Sequence, residues 1–219
     1  MIAVYWDIDG TLLTTARAGV FALEDALEDV TGRRIDLHQA LLASGLTEHQ
    51  VAAEVFRIAG VEADDQLTDD FLRAYERHLP GALPRREGRV LEGVRDVLET
   101  LAERDDVRSF LLTGNTPAGA GAKLAHYGLR EFFDEGAFCI GPGSRTDIAR
   151  RALELAPHAA ERYVIGDTPY DIECGKAIGA RTIAVATGSH SAEDLAAHEP
   201  WAVLDRIEHA QFLRLLGVT

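Results

Sequence analysis

Apolar runs and helical patterns alternate along most of the chain. The runs of strand-like character after residue 89 lie at 107–115, 137–141, 162–167 and 181–188. The segments with apolar residues at helical spacing lie between them, at 91–103, 117–129, 146–156 and 171–180. Solid apolar strands separated by helices predict a parallel β-sheet covered by helices on both faces. An apolar run at 4–13, VYWDIDGTLL, supplies a first strand for the same sheet.

Residues 15–85 follow a different pattern, in which the apolar residues recur at helical spacing throughout. The first predicted helix ends at Gly32, a plausible stop signal, and Thr47 begins a capping box in front of the second. The third is led by Thr68 and ends before Pro80. The sequence therefore predicts a helical module inserted into an α/β domain.

The predicted fold class is α/β, with a Rossmann-like parallel sheet and two structural parts. Residues 1–14 and 86–219 form the sheet domain, and residues 15–85 form the inserted all-helical domain. A chain of 219 residues with 47% hydrophobic content is long enough to bury a substantial core in this arrangement.

Charge and composition narrow the class of partner and the compartment. The formal net charge of −14 argues against nucleic acid or an anionic membrane as partner, because both require a basic surface. The N-terminus has no basic leader, and no run approaches the roughly 20 apolar residues of a membrane span, so we expect a cytoplasmic protein. Cys139 and Cys174 stand far apart without metal-ligand spacing, which predicts buried thiols. The oligomeric state is left open.

Two carboxylates end the first apolar run. Asp7 and Asp9 are two residues apart, so in a strand they project from the same face. The Asp9-Gly10 pair is also a strong hairpin signal, which is the simplest alternative. An EF-hand loop is excluded because Leu12 and Ala18 occupy the positions of its required Gly and Glu.

Polar residues also follow the later strands. Thr113, Gly114 and Asn115 end one strand, Asp167 ends another, and Asp171 comes four residues later. Ligands of an open parallel sheet bind outside the carboxyl ends of its strands, so these groups should converge on one crevice with the first two carboxylates. Hard oxygen ligands without His or Cys favour Mg²⁺.

These motifs together resemble a known family. D-x-D-G-T at 7–11, T-G-N at 113–115 and G-D-x-x-x-D at 166–171 are similar, in order and spacing, to the signature of the haloacid dehalogenase superfamily of phosphohydrolases. The resemblance extends over essentially the whole chain and is to phosphoglycolate phosphatase-like members, whose α-helical C1-type cap corresponds to residues 15–85. It implies a Mg²⁺-dependent phosphatase acting on a small phosphorylated metabolite.

The resemblance also implies roles for the carboxylates. Asp7 would attack the phosphoryl group and form an aspartyl-phosphate. Asp9 would protonate the leaving oxygen and then deprotonate the hydrolytic water. Asp7, the backbone carbonyl of Asp9, and Asp167 would hold Mg²⁺. We expect Asp171 to cap its helix and to orient metal-bound water.

The same comparison calls for phosphate contacts and a basic clamp. Thr113 would donate its hydroxyl to a phosphate oxygen with the help of the amide of Gly114, whereas Asn115 could bind phosphate or cap the next helix. Arg145, between a strand end and a helix N-terminus, is the expected clamp. Lys123 is the reserve, because a rise of about 1.5 Å per residue would place it some 10 Å from the crevice.

One turn of the cap is a candidate for substrate contact. Ser44, Gly45 and Thr47 lie in ASGLTEHQ, just before a predicted helix. Thr47 could serve only as a helix cap. The other interpretation, which comes from the resemblance, is that this turn faces the crevice and contacts the part of the substrate beyond the phosphate.

Other reactions remain to be separated from phosphate ester hydrolysis. Carbon–halogen cleavage disagrees with Asp9, because that reaction has no leaving oxygen to protonate. Phosphonate cleavage through a cap lysine is excluded, since no lysine lies between Met1 and Leu101. A phosphosugar mutase with the same motifs is the main alternative, and a non-catalytic protein that binds Mg²⁺ and phosphate is a remote one.

Overall fold

The computed structural model of the chain describes residues 1–218. Its strands are β1 (Ile2–Trp6), β2 (Leu13–Thr14), β3 (Arg89–Val90), β4 (Val107–Leu112), β5 (Gly136–Ala137), β6 (Glu161–Gly166), β7 (Arg181–Val185) and β8 (Ala202–Leu204). Its α-helices are α1 (Gly19–Thr31), α2 (Glu48–Ala59), α3 (Asp65–Ala82), α4 (Val94–Ala102), α5 (Pro117–His126), α6 (Arg145–Ala152), α7 (Pro169–Ala177), α8 (Ala192–Ala196) and α9 (His209–Leu216).

Six strands form a parallel sheet in the order β5-β4-β1-β6-β7-β8. Alternate residues of the central strand β1 point to opposite faces, as strand geometry requires. Val4 and Trp6 lie in an apolar cluster with α4, α5 and α9. Ala3 and Tyr5 lie in a second cluster with α6 and α7. Both faces of the sheet are thus covered, which confirms the predicted α/β fold class.

The cap has its own apolar core, built from α1, α2 and α3. The chain enters the cap after β2 and returns through β3, and these two strands pair antiparallel, with Leu13 opposite Val90 and Thr14 opposite Arg89. The cap is therefore an insertion whose two ends lie side by side. Thr47 caps α2 through a capping box with Gln50, and Gly32 ends α1 in the left-handed conformation, so both of these sequence predictions are confirmed.

The predicted bounds of the third cap helix are wrong at both ends. Asp64, rather than Thr68, caps α3, because its carboxylate accepts the N–H of Leu67 at 2.8 Å. The hydroxyl of Thr68 donates to the carbonyl of Asp64 instead. Pro80 lies within the final turn, and α3 continues to Ala82. Pro80 lacks only its own N–H, and Gly81 and Ala82 complete the last turn of the helix after it.

The sequence patterns also miss part of the sheet domain. The strand predicted at 137–141 is only two residues long, and α8, β8 and α9 were not predicted at all. Short elements such as the three residues of β8 carry too few alternations to be recognised. Cys139 and Cys174 are buried free thiols, as predicted. Within residues 1–218, no helix has the length and apolar character needed to cross a lipid bilayer.

Candidate active site

The central strand ends beneath the cap. Asp7 follows β1, and its N–H donates to the carbonyl of Ile165 at 2.9 Å, which extends the pairing with β6 by one residue. Gly10, with a φ of +88°, then turns the chain toward β2. The Asp9-Gly10 pair is therefore a turn, but the hairpin alternative is wrong because β2 pairs with β3 and not with β1.

Three buried carboxylates meet beside this turn. One oxygen from each of Asp7, Asp167 and Asp171 lies within 4.8 Å of the others. The hydroxyl of Thr11 donates to Oδ1 of Asp167 at 3.1 Å. A Cβ on Gly188 would lie 1.7 Å from Oδ2 of Asp167, so a side chain at residue 188 would displace this carboxylate. The cluster is held by close backbone packing.

Asp171 anchors its helix differently from our expectation. The N-cap residue of α7 is Thr168, and Asp171 is the third residue of the helix. Oδ2 of Asp171 accepts from the N–H of Thr168 at 3.1 Å and from its hydroxyl at 2.7 Å. The carboxylate thus reaches back to the cap residue, as Glu does in a capping box, while Oδ1 contacts Arg145.

Arg145 lies inside the crevice. It is the first residue of α6, is 5% exposed, and its Nη2 donates to Oδ1 of Asp7 at 3.2 Å and also to Oδ1 of Asp171. The short loop after β5 carries this residue to the carboxyl edge of the sheet. The guanidinium is therefore positioned to neutralise two of the three clustered carboxylates.

The prediction that Lys123 lies outside the crevice is wrong. Its Nζ donates to Oδ2 of Asp9 and to Oδ1 of Asn115, both at 2.6 Å. The axial rise along α5 was the wrong measure, because helical side chains tilt toward the N-terminus and a lysine side chain is long. The crevice therefore contains Lys123 on the side of Asp9 as well as Arg145 on the side of Asp7.

Asn115 joins these groups into a hydrogen-bonded network. Its Nδ2 donates to Oδ2 of Asp9 at 2.9 Å and to Oγ1 of Thr113 at 2.8 Å. The cap of α5 is Thr116, whose Oγ1 accepts from the N–H of Gly119 at 3.2 Å. The helix-capping alternative for Asn115 is therefore wrong, and the side chains of Thr113 and Asn115 both face the site.

Burial and like charges shift the pKa values of the clustered acids upward. Burial raises the pKa of Asp7 to about 7, with Arg145 opposing the rise and Asp171 and Asp9 adding to it. Burial, followed by the charges of Asp171 and Asp7, raises the pKa of Asp167 well above its usual range. The single positive charge of Arg145 therefore cannot neutralise the three carboxylates of Asp7, Asp167 and Asp171.

This donor set fits a divalent cation of the hard class. All donors are carboxylate oxygens, they lie within coordination reach of a shared ion, and they carry surplus negative charge in a buried site. Asp9 is separate, because its Oδ2 is occupied by Asn115 and Lys123. Asp7, Asp167 and Asp171 are therefore the side chains that could hold a metal.

A cavity of about 340 Å³ connects this site with the cap. The predicted cap turn contributes Ser44 and Gly45 to its wall, and the hydroxyl of Ser44 lies 2.8 Å from that of Ser189 in the sheet domain. A Cβ on Gly45 would lie 2.3 Å from Cδ2 of Tyr170, so only glycine fits there without a shift. Thr47 is fully buried and its hydroxyl accepts from the N–H of Gln50, as its capping role predicts.

Sequence reasoning missed several residues around the cavity. Glu48, directly after the capping threonine, is a buried carboxylate whose Oε2 accepts from the N–H of Thr116 at 2.6 Å. Arg17 and Tyr75 line the cavity from the cap. None of these residues belongs to a recognisable motif, so only the packing of the cap on the sheet domain identifies them. Thr11, by contrast, was within the quoted D-x-D-G-T motif and could have been named.

Comparison with known proteins identifies related sequences. A family model described as haloacid dehalogenase-like hydrolase matches residues 4–185. A protein of Dickeya dadantii (strain 3937), described as "Probable phosphatase IndB", is 28% identical over 207 residues, which are 92% of this chain and 88% of that protein.

Solved structures share the fold at lower identity. A "predicted phosphoglycolate phosphatase" from Haemophilus somnus 129pt is 17% identical with a TM-score of 0.73, covering 99% of this chain and 97% of that one. A Bacteroides vulgatus protein provisionally described as a β-phosphoglucomutase is 18% identical with a TM-score of 0.71, covering 98% and 88%. At identities this low, the similarity to these two structures shows a shared fold and nothing more.

Proposed function

Because the chain belongs to the haloacid dehalogenase-like hydrolases, we propose that it is a Mg²⁺-dependent phosphatase that hydrolyses a small phosphomonoester through an aspartyl-phosphate intermediate. The observation that carries this proposal is the different surroundings of two carboxylates from one strand end. Asp7 is buried against Arg145, whereas Asp9 has 41% of its side chain exposed and is held by Asn115 and Lys123. One is suited to attack and the other to proton transfer.

Asp7 is the nucleophile in this proposal. A carboxylate oxygen forms a bond to phosphorus, and the bond between phosphorus and the ester oxygen breaks. The contact with Arg145, 3.2 Å from Oδ1, keeps the carboxylate oriented at the end of the rigid strand β1. Burial of Asp7 excludes water from the nucleophile until the ester has reacted.

Asp9 exchanges the proton in both steps. It gives a proton to the departing alkoxide, which leaves as the alcohol. As a carboxylate, it then takes a proton from a water molecule, whose oxygen attacks phosphorus and releases inorganic phosphate from Asp7. Asn115 and Lys123 both bind Oδ2, so Oδ1 is the oxygen that faces the substrate.

The remaining residues bind the phosphate or the metal. Thr113 and the amide of Gly114 contact phosphate oxygens, and Arg145 serves as the clamp. Asp7, Asp167 and Asp171, with the backbone carbonyl of Asp9, would hold Mg²⁺. When bound, the ion supplies positive charge between the anionic nucleophile and the anionic phosphate.

The substrate is a small phosphorylated metabolite whose alcohol part occupies the cap side of the cavity. The volume of about 340 Å³ suits a ligand of this class. Ser44 and Gly45 line that side and contribute to selection among alcohols, whereas Thr47 acts there only through the helix that it caps.

The test is phosphate release from a panel of phosphorylated metabolites with Mg²⁺, including a sugar 1-phosphate that is also assayed for isomerisation. We expect phosphate release without isomerisation. Asp7→Asn should abolish turnover because its amide cannot attack phosphorus, and beryllium fluoride should bind the wild type at Asp7.

Asp105→Asn is the matched control, since Asp105 is exposed in the sheet domain. Isomerisation of the sugar phosphate would instead support the mutase alternative. Normal turnover by Asp7→Asn would contradict the covalent mechanism. Absence of turnover with tight binding of phosphate and Mg²⁺ would favour the non-catalytic alternative.

A further inference from the structure

One cap residue, Glu48, bonds to the sheet domain with both its backbone and its side chain. It is the first residue of α2, and only 7% of it is exposed. Its N–H donates to the carbonyl of Gly114 at 2.8 Å. Its Oε2 accepts from the N–H of Thr116 at 2.6 Å. A cap residue thus satisfies two backbone groups of the loop between β4 and α5.

The first turn of α5 has room for this carboxylate because residue 119 is glycine. A Cβ on Gly119 would lie 2.8 Å from Oε1 of Glu48 and 3.2 Å from Oε2. A Cβ on Gly121, two residues later in the same helix, would meet nothing within 4 Å. Negative charge is also favourable at a helix N-terminus. The two tightest contacts at residue 119 are therefore with the docked cap, and a looser one, at 3.3 Å, is with Oγ1 of Thr116 in the sheet domain; residue 121 has none of them.

A second cap carboxylate reaches the same place. The hydroxyl of Thr116 donates to Oε1 of Glu76, in α3, at 2.5 Å. Two cap helices therefore hold Thr116, the residue that caps α5. This contact exists only while the cap lies on the sheet domain.

Glu48 and Lys123, the lysine that holds Asp9, line the same cavity. Gly119, against which Glu48 lies, is four residues before Lys123 and on the same face of α5. Burial alone would lower the pKa of Lys123, but the negative charges of Asp9 and Glu48 outweigh it and raise that pKa. The ammonium of Lys123 therefore interacts with one acid of the sheet domain, Asp9, and with one acid of the cap, Glu48. When the cap moves away from the sheet domain, the interaction of Lys123 with Glu48 is lost.

We propose that Glu48 is a positioning residue, which seats against Gly119 when the cap docks and thereby holds Lys123, and through it Asp9, in the arrangement required for proton transfer. The proposal deepens the phosphatase function and depends on it for the activity readouts. The proposal predicts that loss of Glu48 slows proton transfer by Asp9 more than it slows nucleophilic attack by Asp7.

The experiment compares Gly119→Ala with Gly121→Ala, each in the wild type and in Glu48→Ala. Both substitutions raise helix propensity equally, but only the first meets Glu48. We expect Gly119→Ala and Glu48→Ala each to lower kcat for an alkyl phosphate at least about tenfold, with a smaller loss for p-nitrophenyl phosphate. Gly121→Ala should match the wild type. In Glu48→Ala, Gly119→Ala should cause no further loss.

Thermal melts and hydrogen exchange of the Thr116 amide accompany the kinetics. The Thr116 amide should exchange faster in Gly119→Ala and Glu48→Ala, while amides of β1 keep their protection. Equal behaviour of the two glycine variants, equal losses for alkyl and aryl esters, or an undiminished effect of Gly119→Ala without Glu48 would overturn the proposal. If the wild type hydrolyses no phosphoester, the proposed function fails, and the Thr116 exchange pattern alone decides whether Glu48 docks the cap.

Discussion

Replacing Asp7, the proposed nucleophile, should stabilise the metal-free protein. The pKa of Asp7 is raised from 3.8 to about 7, chiefly by burial. At about 1.4 kcal/mol per pH unit, the ionised carboxylate penalises the folded state by up to about 4 kcal/mol. The pKa of about 7 already includes the opposing charge of Arg145, so Asp7→Asn should relieve most of this penalty. We expect a gain of a few kcal/mol in the free energy of unfolding, which raises the Tm of a chain of this length by several degrees.

The sign of the effect sets its pH window. Below pH 3.8 the carboxyl group is protonated in the folded and unfolded chains alike, so it contributes no penalty. The penalty grows as pH rises from about 4 toward 7 and is complete above 7, because only the unfolded chain ionises readily in that interval. The stability advantage of Asp7→Asn should therefore appear at pH 7.5 and shrink at pH 5.

The assay is thermal unfolding with EDTA at these two pH values, and then with Mg²⁺ at pH 7.5. Mg²⁺ should raise the Tm of the wild type more than that of Asp7→Asn, because binding to the folded state alone stabilises it. Asp105→Asn serves as the control. If the difference in Tm between Asp7→Asn and the wild type is the same at both pH values, the charge of Asp7 does not penalise the fold and this reasoning is refuted.

Three further predictions concern turnover and metal binding. Asp9→Asn should lose most activity, with a smaller loss for an aryl phosphate than for an alkyl one, because a good leaving group needs less protonation; equal losses would count against its acid role. Asp167→Asn should abolish the Mg²⁺-induced rise in Tm while the fold, followed by circular dichroism, persists; an unchanged rise would move the metal elsewhere. Gly45→Ala, with a φ of +74° and Tyr170 in its way, should change the ranking of natural phosphoesters and spare p-nitrophenyl phosphate; loss of Tm alone would make this turn structural.

Local sequence patterns were sufficient to predict those parts of the fold and site that depend on burial and strand geometry over a few residues. The run before Asp7 reads as a strand because both faces of β1 are covered, and strand ends in a parallel sheet share one edge. That is why Asp7, Asp9 and Asp167 could be placed at one crevice from the sequence. Membership of the hydrolase family and the α/β fold class are confirmed by the family match and the sheet topology.

The errors arise where a side chain crosses between elements that are distant in sequence. Lys123 reaches Asp9 across 114 residues, and its distance from the crevice depends on how α5 is tilted against the sheet. Glu48 reaches Thr116 across 68 residues and between two domains. No local propensity encodes either contact, because each is set by the packing of two preformed elements.

The paired strands β2 and β3 also determine how freely the cap can vary. Thr14 and Arg89 are partners in that ladder, so the two ends of the insertion are held at a fixed, short separation. Exchanging what lies between them changes the closed-loop length alone, and the entropic cost of closing a loop rises only slowly with its length. The junction itself therefore imposes little strain on a shorter or longer insertion. An exchanged cap would also have to supply carboxylates equivalent to Glu48 and Glu76, because these two residues bind Thr116 of the sheet domain.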